Sequence, residues 1–134
     1  MGKVFVYGTL MRGRSNYKYY LEHSIFLGSG SIHGYALYDL GFYPGIIADE
    51  NECTKGEVFE VDNETMSRLD RLEGEGDLYL KRLVKVEMDN GLAHDAYVYV
   101  WNASVNIERK VDFVNQPWKQ EERENKKVKL EEEV

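Results

Sequence analysis

Apolar positions along this chain fall into runs of two kinds, with turn residues between them. Residues 3–7 (KVFVY) are β-branched or aromatic at almost every position, the pattern of a strand buried on both faces. Residues 24–40 are also extended in character and carry Gly28, Gly30 and Gly34. They read as one or two bent strands in which glycine marks bulges or sharp curvature. Residues 41–45 (GFYPG) make a turn. Ile46 and Ile47 open a short strand, 49–54 form a polar loop, and 55–61 (KGEVFEV) form another strand. Residues 79–88 alternate, Asp89-Asn90-Gly91 is a hairpin signal, and 92–101 return.

Two segments change period from two to 3.6. Asn16 stands where it caps a short helix, with Tyr17, Tyr20 and Leu21 on the inner face. Residues 62–72 give the clearest helix. Asp62 or Asn63 supplies its N-cap, Glu64 lies in the first turn where the helix dipole favours it, and Gly74 follows the end. Beyond Asn102 the pattern weakens. Ile107, Val111 and Val114 fit one amphipathic helix, and from Lys119 onward charges of both signs indicate a solvated helix or a disordered tail. This order of elements predicts one mixed α/β domain with mostly antiparallel pairing, over 1–116, and a charged C-terminal tail over 117–134. The glycine-bent segment helps the sheet curl towards a barrel.

Composition narrows the function. The chain has 134 residues and a net charge of −7, so it is one domain with an acidic surface. That balance argues against nucleic acid or an anionic membrane as partner. No apolar run reaches the length of a membrane span, and residues 1–5 lead into a strand without a signal-peptide pattern, which makes the cytoplasm the expected location. The single cysteine excludes a disulfide framework, and three scattered histidines share no ligand spacing, so no metal is expected.

Two places invite chemistry. Met66, Leu69 and Glu73 share one helix face, which sets a carboxylate in line with the apolar stripe at the helix C-terminus. Partial burial and the dipole both push such a carboxyl upward, towards the range useful for general acid–base work near neutral pH. The plainer alternative is a frayed last turn with Glu73 in water. Second, a buried strand that ends in Tyr7-Gly8-Thr9-Leu10 turns successive backbone N–H groups outward, and these can hold a carboxylate or an oxyanion. The plainer alternative is an ordinary strand-to-loop turn. The run GSGSIHG at 28–34 departs from a dinucleotide fingerprint, since its third glycine is one place late and no helix follows. Cys53 lies among Asp49, Glu50 and Glu52, which raise its pKa, and reads as an incidental thiol. Tyr79, Arg82 and Tyr99 are further candidates for the same pocket.

Taken in order, these residues resemble the gamma-glutamylcyclotransferase-like (AIG2-like) family. The resemblance rests on Tyr7-Gly8-Thr9-Leu10 with Arg12-Gly13 and Asn16, on Tyr43-Pro44-Gly45, and on residues 55–59 (KGEVF). It continues through residues 69–74 (LDRLEG) with Tyr79 and Arg82 behind them, and through 96–100 (AYVYV). It implies an α+β fold: a small curled, barrel-like, mixed but mostly antiparallel sheet with a few short helices. It implies that Tyr7, Gly8, Thr9 and Leu10 bind a glutamyl moiety, that Glu73 is the acid/base, and that 5-oxoproline is released from a gamma-glutamyl amine, amino acid or peptide without cofactor or metal. The partner is then a small molecule, and exposed tyrosines together with the 107–114 segment leave room for a homodimer. The rival expectation is a non-catalytic module that binds a small carboxylate or a peptide in the same pocket.

Overall fold

The computed structural model describes residues 2–120. The chain forms β1 (Gly2–Val6), α1 (Tyr17–Tyr20), β2 (Ile25–Asp39), β3 (Pro44–Val61), α2 (Asn63–Glu73), β4 (Tyr79–Met88), β5 (Ala93–Trp101) and a short β6 (Lys110–Val111). Five strands run in the order β3-β1-β5-β4-β2, and β2 pairs back onto β3, which closes the sheet on itself. β6 joins the outer side of β2 through Leu37↔Val111 and Tyr38↔Lys110. The pairings are antiparallel except β1 with β5. This is the curled, mixed sheet that the strand order predicts.

β1 lies between β3 and β5, which explains its apolar run: Val4, Phe5, Val6 and the following Tyr7 are all buried. The bent segment is one long strand. Its register against β3 shifts between Phe26 and Gly28 and between His33 and Tyr35, and Gly28 and Gly34 both have positive φ there. Only glycine adopts such angles without strain. Gly30 plays another part. A Cβ at this position would lie 2.6 Å from the Glu87 carbonyl, where β2 crosses to pair with β4.

Two expectations are corrected. The polar stretch 49–54 is no separate loop but lies inside β3, which runs without a break from Pro44 to Val61. The register skips from Tyr35↔Ala48 to His33↔Cys53, so 49–52 bulge opposite Gly34 without leaving the strand. Their polarity suits a face turned to solvent. The 107–114 segment is not a helix. One-turn 3₁₀ helices at Ile107–Arg109 and Phe113–Asn115 flank β6, and Ile107 and Val114 are 70% and 85% exposed. Backbone pairing with β2 and the Asn106 side chain capping Glu108 N–H override the weak apolar period.

α2 forms as the sequence indicates. Asp62 is the N-cap and accepts a 2.7 Å bond from Thr65 N–H, and Gly74 closes the helix in the left-handed conformation. Leu69 is its fully buried residue, with Met66 and Leu72 beside it against the core. The chain is still packed at Trp118, 2% exposed, two residues past the boundary placed at 116. The expectation for 121–134 lies outside the described residues.

One close approach is directly testable. A Cβ on Gly56 would sit 2.4 Å from the Val6 carbonyl and 2.6 Å from Phe5 Cζ. Gly56→Ala is therefore expected to lower unfolding stability by about 1–3 kcal/mol through overpacking against β1. A urea midpoint equal to wild type would show that β1 and β3 are not this close.

Candidate active site

A cavity of about 390 Å³ opens where β1 ends, between the C-terminus of α2 and the start of β3. Tyr7, Gly8, Thr9, Leu10 and Glu73 all line it, so the two candidate features lie in one place. Local structure explains why. Gly8 packs onto Pro44, whose ring carbons would lie 2.6–2.7 Å from any Cβ there. A side chain at this position would push the turn away from β3. The turn is fixed on its other side by Asn16. Its backbone N–H reaches Thr9 O at 2.9 Å, and its side-chain amide donates to Thr9 Oγ1 at 2.9 Å. Asn16 was expected to cap α1 through its side chain. Instead that side chain braces the 7–10 turn, and α1 has no side-chain cap.

The Gly8 carbonyl accepts from Met11 N–H, whereas the N–H groups of Gly8, Thr9 and Leu10 bond to no described residue. Three donors without a described acceptor at a glycine turn that lines the cavity are available to a carboxylate or an oxyanion.

The tyrosines are held in place. Tyr7 donates from its hydroxyl to Tyr99 O at 2.6 Å, and Tyr79 donates to Pro44 O at 2.8 Å. Tyr99 donates to Asp70 Oδ1 at 2.6 Å, and Lys81 Nζ pairs with both oxygens of that carboxylate at 3.0 Å. Burial, above all, pushes all three phenols up, and the nearby Glu73 carboxylate adds to the shift. They therefore stay neutral and act as hydrogen-bonding walls. Tyr79 and Tyr99 line the cavity. Arg82 does not, since it is exposed and points its guanidinium back to Lys81 O.

Glu73 differs from its neighbours. Its carboxylate has no hydrogen bond or ion pair to any described residue. It is half-buried in the cavity wall, and loss of hydration raises its pKa from 4.5 to about 7. The expected push from the helix dipole is not needed, because burial accounts for the shift. A carboxyl that is half-ionised near neutral pH and has no partner among the described residues can take up a proton and return it.

Some of the wall was not read from the sequence. Leu72 and Leu78 line the cavity, and the particular residue that reaches it from the region after Trp101 is Gln120, which exchanges two 2.9 Å hydrogen bonds with Ser15. The sequence points to the loops 12–16 and 41–45 and to the region after Trp101 as the parts that meet whatever lies beyond a glutamyl group, and Ser15, Phe42, Tyr43 and Gln120 line the cavity. Gln120 lies about twenty residues past the last clear strand, and nothing in its local sequence signals the return.

Away from the cavity, Cys53 Sγ lies 2.9 Å from His33 Nδ1, and His33 Nε2 lies 3.1 Å from Glu87. Burial together with Glu52 and Glu87 pushes this thiol up, which agrees with the reading from its acidic neighbours. Among the described residues no group of three or more His, Cys, Asp or Glu side chains is placed to hold a metal ion. No helix among them is long and apolar enough to cross a membrane.

The family model described as gamma-glutamyl cyclotransferase, AIG2-like, matches residues 4–120. The chain is 34% identical over 104 residues to the gamma-glutamylcyclotransferase family protein YtfP of Escherichia coli, a match spanning 78% of this chain and 86% of that protein. It is 36% identical over 126 residues to the gamma-L-glutamyl-butirosin B gamma-glutamyl cyclotransferase of Niallia circulans, spanning 90% of this chain and 77% of the other. Among solved structures, an AIG2-like protein of Mus musculus superposes with a TM-score of 0.70 at 28% identity, covering 81% of this chain and 82% of its own. A protein of Pyrococcus horikoshii gives 0.66 at 33% identity, covering 84% and 90%.

Proposed function

The chain belongs to the gamma-glutamyl cyclotransferase, AIG2-like family, an enzyme family, and from that premise we propose that it releases 5-oxoproline from a gamma-glutamyl amine, amino acid or peptide. One observation carries this reading. A carboxylate with a pKa of about 7 and no partner among the described residues shares one cavity with three backbone N–H groups that bond to no described residue.

The chemistry needs little else. In a gamma-glutamyl compound the α-amine and the side-chain carbonyl belong to one molecule, so the nucleophile is already tethered. Holding the folded conformer supplies much of the rate. Glu73 takes a proton from the α-ammonium group. The freed nitrogen attacks the side-chain carbonyl carbon and closes a five-membered ring, and the negative charge moves to the oxygen. Glu73 then returns its proton to the departing nitrogen, and the C–N bond breaks as the oxygen's electron pair re-forms the carbonyl. The ring nitrogen passes its surplus proton to the released amine, which leaves as an ammonium ion with 5-oxoproline behind it. One carboxyl serves both steps because its pKa lies near the working pH. The N–H groups of Gly8, Thr9 and Leu10 hold the α-carboxylate or the developing oxyanion. The neutral Tyr7, Tyr79 and Tyr99 walls keep bulk water from the ring-closing conformer. No cofactor or metal takes part in this scheme. The name of the Niallia circulans relative also gives a gamma-L-glutamyl group, joined there to butirosin B.

The test is a mass-spectrometric search for 5-oxoproline after incubation with gamma-glutamyl amino acids, gamma-glutamyl amines, ε-lysine isopeptides and glutathione. Release from at least one class is the expected result. Saturable binding of these compounds without product from any of them would replace this reading with that of a binding module.

A further inference from the structure

The cavity holds more than a glutamyl group. Its 390 Å³ lies in the range that takes a drug-sized ligand, and a five-membered lactam fills only part of it. What remains is lined by apolar and by polar side chains. Phe42, Tyr43 and Leu78 are 61%, 43% and 53% exposed, and all three line the same cavity. Single exposed apolar residues are ordinary, but three converging on one cavity form a surface with an unfilled partner.

This surface is built in advance. Gly41 N–H donates to Asp39 Oδ1 at 2.9 Å, and Leu40 N–H donates to Tyr43 O at 3.0 Å. Leu78 is fixed from both sides, its N–H on Gly74 O at 3.0 Å and its carbonyl accepting Asn102 N–H at 2.9 Å. The polar side chains of the lining, Ser15, Asn16 and Gln120, are engaged with the protein itself. Both ends of the Gln120 amide are used on Ser15, and the Asn16 amide is used on Thr9.

Charge narrows the choice further. Among the described residues the lining holds no lysine, arginine or histidine, and Glu73 is the one carboxylate there. A second carboxylate on the substrate would face Glu73 with no cation to offset its desolvation. A cationic body would set its charge against apolar walls while Glu73 is engaged with the reacting nitrogen.

We propose that the leaving amine carries an uncharged, apolar body, aryl or branched alkyl, which lies against Phe42 and Leu78, and that these two residues set the preference. This rests on the gamma-glutamyl reading above. Phe42 and Leu78 do not touch the reacting atoms. They act through binding, and their loss appears in KM before kcat.

Four compounds separate the outcomes: gamma-glutamylphenethylamine, gamma-glutamylphenylalanine (the same body with one added carboxylate), gamma-glutamylmethylamine and gamma-glutamylcadaverine. The phenethylamine compound should exceed each of the others by about tenfold or more in kcat/KM, the range that hydrophobic contacts of this size confer. Phe42→Ala and Leu78→Ala should raise KM for it by about tenfold, with a clearly smaller effect on the methylamine compound. Both side chains are exposed, so thermal melts of the variants should match wild type. Equal or faster turnover of the phenylalanine or cadaverine compound would overturn the proposal, as would equal losses on the large and small substrates. Turnover of none of the four, in a protein that also yields no 5-oxoproline from the wider panel, would instead remove the gamma-glutamyl reading itself.

Discussion

Replacing Glu73 with glutamine is expected to cut 5-oxoproline release at least a hundredfold and, above neutral pH, to make the protein more stable. The first effect follows from the proposed double proton transfer. A positioned acid–base group contributes about 10²–10⁴-fold to such a reaction, and glutamine keeps the shape of glutamate while losing both proton-transfer functions. In wild type, kcat/KM should rise with pH through about 7 as Glu73 gives up its proton and becomes a base. The residual rate of the variant should lack that inflection.

The second effect has the opposite sign for a definite reason. Glu73 holds its proton more tightly in the folded protein, at about 7, than in an unfolded chain, near 4.5. Its contribution to stability is complete below about 4.5 and is lost as the pH climbs to about 7. Above that, folding keeps a bare carboxylate in a poorly hydrated wall with no partner. The full shift corresponds to about 3 kcal/mol. Water in the open cavity screens part of it, so Glu73→Gln should gain on the order of 1–2 kcal/mol at pH 8 and almost nothing at pH 4.5. Urea unfolding at the two pH values measures this. A variant that is inactive and also less stable at pH 8 would mean that Glu73 holds the helix end together, and the acid–base assignment would fall.

Glu73 was visible in the sequence because its position is local information. Three residues spaced 66, 69 and 73 decide one helix face, and a helix end decides the rest. The same holds for the buried run at 3–7, for the cap at Asp62, and for the hairpin at 89–91, where Gly91 takes a positive φ. The glycines of β2 gave the curl away for a related reason, since a register shift needs a residue that tolerates it. What stayed hidden depends on distant partners. The polar positions 49–52 look like a loop until β2 lies alongside to define one strand. Val111 looks helical until Leu37 pairs with it. Asn16 looks like a cap, yet Thr9 competes for its amide and wins. Leu78 was hidden most completely, because no local pattern says whether it faces a core, a partner or a cavity.

Trp118→Ala should cause the largest loss of stability of any single change considered, about 3–5 kcal/mol. Residues 117–134 were expected to be a charged tail, and a tryptophan in such a tail would be indifferent to truncation. Here the indole is 2% exposed and is the largest of the fully buried side chains. Its removal leaves a void as well as losing the transfer of a large apolar surface. It also ties the C-terminal segment to the loop that carries the candidate site. Arg14 Nη2 donates to Trp118 O at 2.8 Å, and two residues on Gln120 clasps Ser15. Arg14 Nε and the indole Nε1 are buried without partners in the described structure. The indole is therefore held by packing and not by its polar atom. Trp118→Phe should then recover much of the loss, because phenylalanine restores most of the volume and needs no hydrogen bond. Both variants should be followed by urea unfolding, with KM measured beside it. The alanine variant should raise KM even under conditions where it is fully folded, since Ser15 and Asn16 belong to the loop that Trp118 and Gln120 hold. An alanine variant within about 0.5 kcal/mol of wild type, the usual range for surface changes, would place Trp118 outside the core and return the domain boundary to residue 116.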